Sequence, residues 1–304
     1  MRNLPNYILL SNSGELEQRV ANAYSHLAVC DVCPLNCPVN RLIGKIGACQ
    51  TGEKARISNY NPHYGEETPI SGWKGSGTIF FSRCNLRCQY CQNYEISQVE
   101  KGEEVDAEKL AEIMLLLQSY GCHNINLISP SHVVPQILSA INIAAKAGLQ
   151  IPMVYNSGGY DSLSMLNLLK GIIDIYMPDM KYSDSNLAKK YSKVPNYVEV
   201  NRLAIKEMHR QVGDLQINHD GLAVHGLLVR HLVLPNQIAG TDKIVDFLAN
   251  EISIDTYINI MDQYHPCFQA YRYSELLRRI TQKEYQYAIN LALKAGLHRF
   301  DKYD

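Results

Sequence analysis

The alternation of short apolar runs with helical patterns, from about Gly75 onward, constrains the fold more than any other feature of the chain. The predicted strands are 77–82, 124–129, 151–155, 172–177, 226–234 and 256–261. Helical spacing fills the intervals, over 106–120, 134–147, 162–170, 184–191, 198–210 and 243–250. Strands that alternate with helices of this length are typical of parallel β-α units joined by right-handed crossovers.

The number of units limits the architecture. Six β-α units are too few for a closed eight-strand barrel, and the pattern by itself allows an open partial barrel or a doubly wound sheet. In both folds ligands collect at the carboxyl ends of the strands. Two local signals add detail: Asp220-Gly221 predicts a hairpin turn, and Thr281 with Glu284 predicts a capping box that opens a last helix ending near Gly296.

Composition excludes several classes of protein. The 304 residues are 46% apolar and 19% charged, which suits one large globular domain or a domain with a small appendage. A formal net charge of −1 gives no basic field for nucleic acid or an anionic membrane. We expect neither a signal peptide in 1–24 nor a membrane span, and therefore a cytoplasmic protein. A reducing cytosol favours metal binding over disulfides for the nine cysteines.

Three cysteines stand within eight residues directly after the first predicted strand. Cys84, Cys88 and Cys91 have the spacing C-x3-C-x2-C, and the segment 84–91 is called the cysteine loop below. Three thiolates can fold around a cubic [4Fe–4S] cluster, whereas an electron-transfer cluster usually takes four. The fourth iron would then be free to bind another ligand. The sequence therefore predicts a cluster with one open corner at the ligand-binding end of the fold.

Polar side chains mark the ends of the other strands. Asn156 precedes two glycines, and Asp179 and Lys181 are two residues apart, so both point to the same side of an extended chain. Arg230 lies within the fifth strand and needs an anionic partner there. A structural role remains the alternative for two of these sites: a glycine turn for Asn156, and a surface ion pair for Asp179 with Lys181.

A second group of four cysteines lies nearer the N-terminus. Cys30, Cys33, Cys37 and Cys49, called the Cys30 set below, enclose a loop in which Gly44 and Gly47 allow the chain to turn back. Four thiolates can close a zinc site that organises a segment too small for its own core. They can equally hold an auxiliary [4Fe–4S] cluster that passes electrons or anchors substrate. The isolated Cys122 and Cys267 are predicted to be packing residues.

The cysteine loop resembles the signature of the radical S-adenosylmethionine (SAM) enzymes. The resemblance implies an open (β/α)6 partial TIM barrel with a small N-terminal cysteine-rich segment. It also implies that the open iron binds the amino and carboxylate groups of SAM, and that an electron from the cluster releases a 5′-deoxyadenosyl radical. Tyr90, just before the third cysteine, is then expected to contact adenine.

The resemblance also extends to residues at other strand ends, which are expected to bind the cofactor. Ser129 and Ser131 stand where many members have a Gly-Gly-Glu-like segment that binds the methionine amino group, and a Ser-Pro turn would also explain them. Asp179-x-Lys181 resembles the motif that lies over the methionine carboxylate and ribose in glycyl-radical activating enzymes. Arg230 and His265 are similar to their strand arginine and late histidine near the adenosyl group, and Asn156 is expected to bind cofactor.

The order of motifs resembles the uncharacterised branch related to pyruvate formate-lyase activating enzyme. This implies hydrogen abstraction, with a glycine of a partner protein as one target and a peptide or small metabolite as the alternative. An electron donor such as flavodoxin or ferredoxin is implied as a partner. The predicted domains are an N-terminal segment 1–74, a core 75–273 and a C-terminal helical segment 274–304. The alternative of another class is a non-catalytic iron–sulfur or zinc protein that transfers electrons or binds a partner. The open corner of the cluster argues against it, because an electron carrier gains nothing from an iron with an exchangeable ligand.

Overall fold

The strands of the chain form one sheet. The computed structural model describes residues 5–99 and 102–301. Outside the described residues lie 1–4 and 302–304, which belong to the predicted terminal segments. The start of the stretch examined for a signal peptide is therefore among the residues not described. The strands are β1 (Ala55–His63), β2 (Ser76–Phe81), β3 (Glu103–Val105), β4 (Ile125–Ile128), β5 (Met153–Ser157), β6 (Ile175–Pro178), β7 (Gln216–Ile217), β8 (Ala223–Leu232), β9 (Tyr257–Met261) and β10 (Arg299–Phe300). Their order is β10-β9-β8-β6-β5-β4-β2-β1-β3, and β7 pairs with β8.

Helices follow most of these strands. They are α1 (Asn6–Asn12), α2 (Glu15–Ser25), α3 (Thr68–Ser71), α4 (Tyr94–Ser97), α5 (Ala107–Ser119), α6 (Val134–Lys146), α7 (Leu163–Leu169), α8 (Ser185–Ser192), α9 (Tyr197–Val212), α10 (Thr241–Phe247) and α11 (Gln282–Ala295). Within the described ranges, none of them combines the length and the hydropathy of a membrane span.

The six predicted strands all exist and run parallel. They are β2, β4, β5, β6, β8 and β9, each hydrogen-bonded to the next in that order. The sheet does not close on itself, since its path ends at β10 and β3. The prediction of an open partial barrel of β-α units is therefore confirmed.

Each parallel strand buries both of its faces. Leu127, Tyr155 and Val229 pack into the large core under the helices. Their neighbours Val154 and Leu228 belong to a second cluster, which collects side chains from β5, β6, β8 and β9 on the inner face of the curved sheet. Alternate residues of a strand point to opposite faces, so burial of both faces explains why these strands read as continuous apolar runs.

The N-terminal residues share this core. Tyr7, Leu16 and Leu27 are buried in the same cluster as the helices of the barrel. β1 pairs antiparallel with β2 and β3, which the sequence did not predict. Its partly exposed, mostly polar second half contains Pro62 and lacks the apolar run of a central strand, as is usual near the edge of a sheet. The proposed domain boundaries at 74 and 274 stay predictions.

Both local signals are confirmed. The Thr281 hydroxyl accepts from the Glu284 backbone N–H at 3.2 Å, and the Glu284 carboxylate accepts from the Thr281 N–H at 2.8 Å. Gly296 ends this helix in the left-handed region, with φ of +99°. In the hairpin, Gly221 has φ of +78° and lies between β7 and β8.

Candidate cluster and cofactor site

The cysteine loop leaves the carboxyl end of β2 through a sharp turn. Arg83 lies in the left-handed region with φ of +74°. The Arg87 N–H donates to Ser192 O at 3.0 Å, and the Gln89 N–H donates to Tyr191 O at 2.7 Å. The end of α8 therefore holds the loop through the backbone, whatever the loop side chains are.

Each thiol of the loop has a polar neighbour. Cys88 Sγ lies 3.0 Å from Ser192 Oγ, and Cys91 Sγ lies 3.2 Å from Ser97 Oγ. The Leu86 N–H donates to Cys84 Sγ at 3.3 Å. Hydrogen bonds to sulfur are among the interactions that set the properties of a protein-bound iron–sulfur cluster. The donor set of three convergent thiols with such neighbours fits a cluster held by Cys84, Cys88 and Cys91.

The Lys181 side chain lies close to all three thiols. Burial raises the pKa of Cys84 to about 12 and that of Cys88 to about 11, and it also raises the pKa of Cys91. The Lys181 ammonium acts in the opposite direction on each of them. A cation therefore lies near the loop, just beyond the end of β6, where an anionic cluster or an anionic ligand group would be stabilised.

Asp179 stands between two cations. Its Oδ2 lies 2.5 Å from Lys181 Nζ, and its Oδ1 accepts from Arg230 Nε at 3.0 Å. Burial by itself would raise the pKa of the Asp179 carboxyl, but Arg230 and Lys181 together hold it below its ordinary value. The anionic partner that a strand arginine requires is therefore Asp179.

Asn156 joins the same network. Arg230 Nη2 donates to Asn156 Oδ1 at 2.6 Å. Arg230 also lies 3.7 Å from a carboxylate oxygen of Glu66 and 3.9 Å from one of Glu67. The structure thus brings together the predicted residues of three strand ends, Asn156, Asp179 with Lys181, and Arg230, beside the cysteine loop.

Gly159 is required by packing between strand ends. Its φ is +71°, and a Cβ placed on it would lie 2.1 Å from Asp179 O and 2.2 Å from Asn201 Nδ2. Asn201 donates to Gly159 O at 2.9 Å and to Asp179 O at 3.0 Å. The backbone at Gly159 therefore packs directly against the end of the neighbouring strand.

The two predicted serines occupy different environments. Ser129 lies in the left-handed region with φ of +59°, and its N–H donates to Asn156 O at 2.9 Å. Ser131 is buried beside the Asp161 carboxylate and the Tyr155 hydroxyl. The predicted roles of Ser129 and Ser131 towards the cofactor stay predictions.

Tyr90 is buried in a group of tyrosines behind the loop. Its hydroxyl donates to the Tyr182 hydroxyl at 2.6 Å, and Tyr182 lies 2.8 Å from Ser192 Oγ. The rings of Tyr90 and Tyr264 meet edge to face with centroids 5.8 Å apart. These rings belong to the same buried cluster as Leu86 and Cys88 of the loop, and the adenine contact of Tyr90 stays a prediction.

The segment after β9 lies along the loop. His265 Nδ1 is 3.4 Å from the side-chain nitrogen of Gln92, the residue that follows Cys91. Cys267, expected to be a packing residue, donates from Sγ to Tyr90 O at 3.2 Å and lies near enough to Cys91 to raise the pKa of that thiol. His265 is therefore beside the loop, and its role towards the adenosyl group stays a prediction.

Several residues of the site carried no sequence signal. Tyr197 accepts from the Lys181 N–H at 3.1 Å and donates to Gly158 O at 2.9 Å, which fixes the two strand ends to α9. The others come from helices and from the segment before α3, and no spacing in the sequence links them to the strand ends: Glu66, Glu67, Ser97, Ser192 and Asn201.

The Cys30 set also converges. Burial raises the pKa of the Cys33 thiol, and the other three cysteines are near enough to act in the same direction. The Ala48 N–H donates to Cys37 Sγ at 3.4 Å, where the loop turns back at Gly47. Within 5–99 and 102–301, no group of three or more His, Cys, Asp or Glu is spaced for a single metal ion. A cubic cluster separates its thiolates more widely than one ion does.

Comparison with known proteins covers nearly the whole chain. The Methanocaldococcus jannaschii protein named "Uncharacterized protein MJ0674" is 31% identical over 290 residues, which are 93% of this chain and 79% of that protein. Streptococcus suis SuiB bound to precursor peptide SuiA has 12% identity and a TM-score of 0.49 over 72% of this chain and 46% of that chain. This chain therefore spans less than half the length of SuiB.

Another similar structure is a domain of a pyruvate-formate lyase-activating enzyme from Bacteroides vulgatus. Its identity is 15% and its TM-score 0.37, over 52% of this chain and 83% of that domain. The sequence model of the Radical SAM superfamily matches residues 78–226, from β2 to the start of β8. Family membership implies a [4Fe–4S] cluster and SAM as cofactors. The chain belongs to the radical SAM superfamily.

Proposed function

We propose that this protein cleaves SAM reductively at a [4Fe–4S] cluster held by Cys84, Cys88 and Cys91, and uses the 5′-deoxyadenosyl radical to abstract hydrogen from a substrate. The observation that carries the proposal is the position of Lys181. It pairs with Asp179 at 2.5 Å and lies near enough to all three thiols to lower the pKa of each. A cluster on the three cysteines and the charged groups of SAM would both lie next to this Lys181–Asp179 pair.

The chain's own residues would bind and orient the cofactor. The bound cluster with SAM supplies the radical chemistry, and the protein positions the reacting carbon and excludes water. Lys181, Asp179, Arg230 and Asn156 form one hydrogen-bonded network from three strand ends, which suits the methionine and ribose groups. The remaining predicted cofactor-binding residues around this network are Tyr90, Ser129, Ser131 and His265.

The proposed substrate is a glycine of a partner protein. The order of the motifs supports this choice, because it resembles the activating-enzyme branch. Modification of a peptide or of a small metabolite is the alternative within the same chemistry. An external one-electron donor such as flavodoxin or ferredoxin is a required partner, and the proposed location is the cytoplasm.

The Cys30 set is proposed as a second metal centre. Its four thiols converge in a loop that carries an amide donor to one sulfur. Zinc and an auxiliary iron–sulfur cluster are the two occupants that four thiolates favour.

Anaerobic reconstitution tests the main proposal. The protein is loaded with iron and sulfide, reduced, mixed with SAM and analysed for 5′-deoxyadenosine. We expect product from the native protein and from Cys122→Ala, a buried free cysteine outside both groups, and none from Cys88→Ala. Absence of product from native protein with an intact reduced cluster would refute the enzyme assignment.

The substrate class has its own measurement. A candidate partner protein is incubated with the loaded enzyme and SAM, and electron paramagnetic resonance is recorded for a glycyl radical. A glycyl signal that requires Lys181 and SAM supports the activating role. Product formation without any protein radical, but with hydrogen transfer from a small molecule, would favour the metabolite alternative.

A further inference from the structure

Three hydroxyl groups lie in a row behind the cysteine loop, and the row ends at one of its thiols. The Tyr90 hydroxyl donates to the Tyr182 hydroxyl at 2.6 Å, and the Tyr182 hydroxyl lies 2.8 Å from Ser192 Oγ. Ser192 Oγ in turn lies 3.0 Å from Cys88 Sγ. The two oxygen–oxygen distances are those of ordinary O–H···O hydrogen bonds. These four residues are called the hydroxyl chain below.

The hydroxyl chain is enclosed by protein. Tyr182 and Ser192 are 1% and 0% exposed, and Tyr90 and Cys88 are also buried. Tyr197 packs edge to face on the Tyr182 ring, with centroids 5.6 Å apart. A buried polar group needs a hydrogen-bond partner inside the protein, because bulk water does not reach it. Each hydroxyl therefore depends on its neighbour in the chain, and these bonds are stronger than they would be in water.

The number of protons gives the hydroxyl chain one direction. A tyrosine or serine hydroxyl has a single proton to donate. Tyr90 uses its proton on Tyr182, so the Tyr182 proton is left for Ser192. The Ser192 proton is then left for Cys88 Sγ. The chain thus ends in a hydrogen bond donated to the Cys88 sulfur, and this conclusion does not depend on the ionisation of that thiol.

The contacts of the other two loop cysteines are simpler. Cys91 Sγ lies 3.2 Å from Ser97 Oγ, and Cys84 Sγ accepts from the Leu86 N–H at 3.3 Å. Within 5–99 and 102–301, no second hydroxyl extends either contact. Cys88 is therefore the loop cysteine at which a row of polarised hydroxyls converges.

A hydrogen bond to a cluster sulfur favours the reduced cluster. Reduction adds one negative charge, and hydrogen bonds to the sulfurs are among the factors that set the potential of an iron–sulfur cluster. Successive hydroxyls polarise one another, so Ser192 is a stronger donor when Tyr182 and Tyr90 stand behind it. A cluster bound at Cys88 would therefore be easier to reduce than one without this chain.

We propose that the hydroxyl chain raises the reduction potential of a [4Fe–4S] cluster held at Cys88, with Ser192 as the direct donor and the two tyrosines acting through it. The inference rests on the proposed function for the cluster itself. The step concerned is the uptake of one electron from the external donor, and the protons of the chain stay on their oxygens. All three are positioning residues. The role of the Tyr90 hydroxyl is separate from the contact expected between its ring and adenine.

The test measures the potential of the cluster in the absence of SAM. Native protein, Ser192→Ala, Tyr182→Phe and Tyr90→Phe are reconstituted anaerobically with iron and sulfide and titrated with dithionite. Electron paramagnetic resonance reports the reduced cluster, and the signal that is lost in Cys88→Ala identifies the loop cluster.

The three variants should differ in the size of the shift. Ser192→Ala should move the ratio of reduced to oxidised cluster, at a fixed solution potential, about tenfold toward the oxidised form, because a hydrogen bond to a charged group is lost. Tyr182→Phe and Tyr90→Phe should shift it less and in the same direction, because they leave the Ser192 donor in place. An unchanged or more positive potential in Ser192→Ala would overturn the proposal. If Ser192→Ala takes up no cluster, Tyr182→Phe decides, and an unchanged potential there would overturn it.

A control and a double variant separate the chain from packing. The Tyr264 ring also packs on Tyr90, but its hydroxyl donates to Leu276 O at 2.8 Å, so Tyr264→Phe should leave the potential unchanged. Adding Tyr182→Phe to Ser192→Ala should give no further shift, because Tyr182 acts only through Ser192. Additive shifts would overturn the chain.

The same measurements separate this inference from the proposed function. Because no SAM is added, the potentials do not depend on whether the protein cleaves SAM. Absence of a Cys88-dependent cluster from native protein would overturn both. A native cluster whose potential the chain variants leave unchanged would overturn this inference alone.

Discussion

Arg230 donates from Nε to Asp179 Oδ1 at 3.0 Å, although the two residues are 51 positions apart in the chain. The Met180 N–H donates to Arg230 O at 2.8 Å, so the ends of β6 and β8 are also joined through the backbone. This pairing places one carboxylate between two cations, and the charge balance of the candidate site depends on it.

Asp179→Asn should weaken both stability and SAM binding. The change leaves Lys181 and Arg230 buried without the anion that they share, and breaking a buried pair costs roughly 3–5 kcal/mol. Chemical unfolding measures the loss of stability, and equilibrium dialysis of SAM with the reconstituted protein measures binding. Asp242→Asn, at an exposed position on α10, is the control. Native affinity and stability in Asp179→Asn would contradict the role given to this carboxylate.

Gly159→Ala should be strongly destabilising because a methyl group would overlap the Asp179 carbonyl oxygen at 2.1 Å. Gly14→Ala is a matched control, since Gly14 lies in the left-handed region with φ of +79° but has nothing within 4 Å of its added Cβ. The difference between the two variants isolates the overlap from the cost of the left-handed backbone. Thermal unfolding of both variants provides the comparison, and equal losses would show that the close approach is unimportant.

Glu66 should make stability depend on pH. Burial raises its pKa from 4.5 to about 7, Arg230 opposes this, and Glu67 and Asp179 raise it further. Between those pH values the folded chain keeps a proton that the unfolded chain has lost. The resulting stability is complete below pH 4.5 and is lost as the pH rises through 7.

Glu66→Gln checks this prediction. The stability of native protein relative to Glu66→Gln should fall by roughly 3 kcal/mol between pH 4.5 and 8, with the size set by the shift in pKa. Urea unfolding at several pH values gives the measurement, with Glu112→Gln on an exposed position of α5 as the control. A difference that does not vary with pH would contradict the proposed protonation of Glu66.

Thr281→Ala should cost about 1 kcal/mol in the free energy of unfolding, because it removes the hydroxyl that accepts from the Glu284 N–H. Thr281→Ser keeps that hydroxyl and is the control. Urea unfolding compares them, and an equal loss in the two variants would mean that the threonine methyl, rather than the cap, stabilises α11.

Local patterns were enough to predict the framework. Each of the six parallel strands appears near its predicted position, because an apolar run and the helix that follows it depend on residues close together in sequence. The same holds for the turn at Gly221 and the cap at Thr281. β1 was missed because its polar residues are stabilised by pairing with β2 and β3 rather than by their own pattern.

The sequence by itself determined the spacing of the three loop cysteines and the strand end at which they lie. Only the tertiary structure decided that Lys181 lies near these thiols, that Asp179 and Arg230 pair, and that Arg41 is buried against Cys30. Such contacts join residues far apart in the chain, such as Arg41 and His132 at a separation of 91. The free energy of a buried charge depends on the partners that folding brings to it, and no local pattern records them.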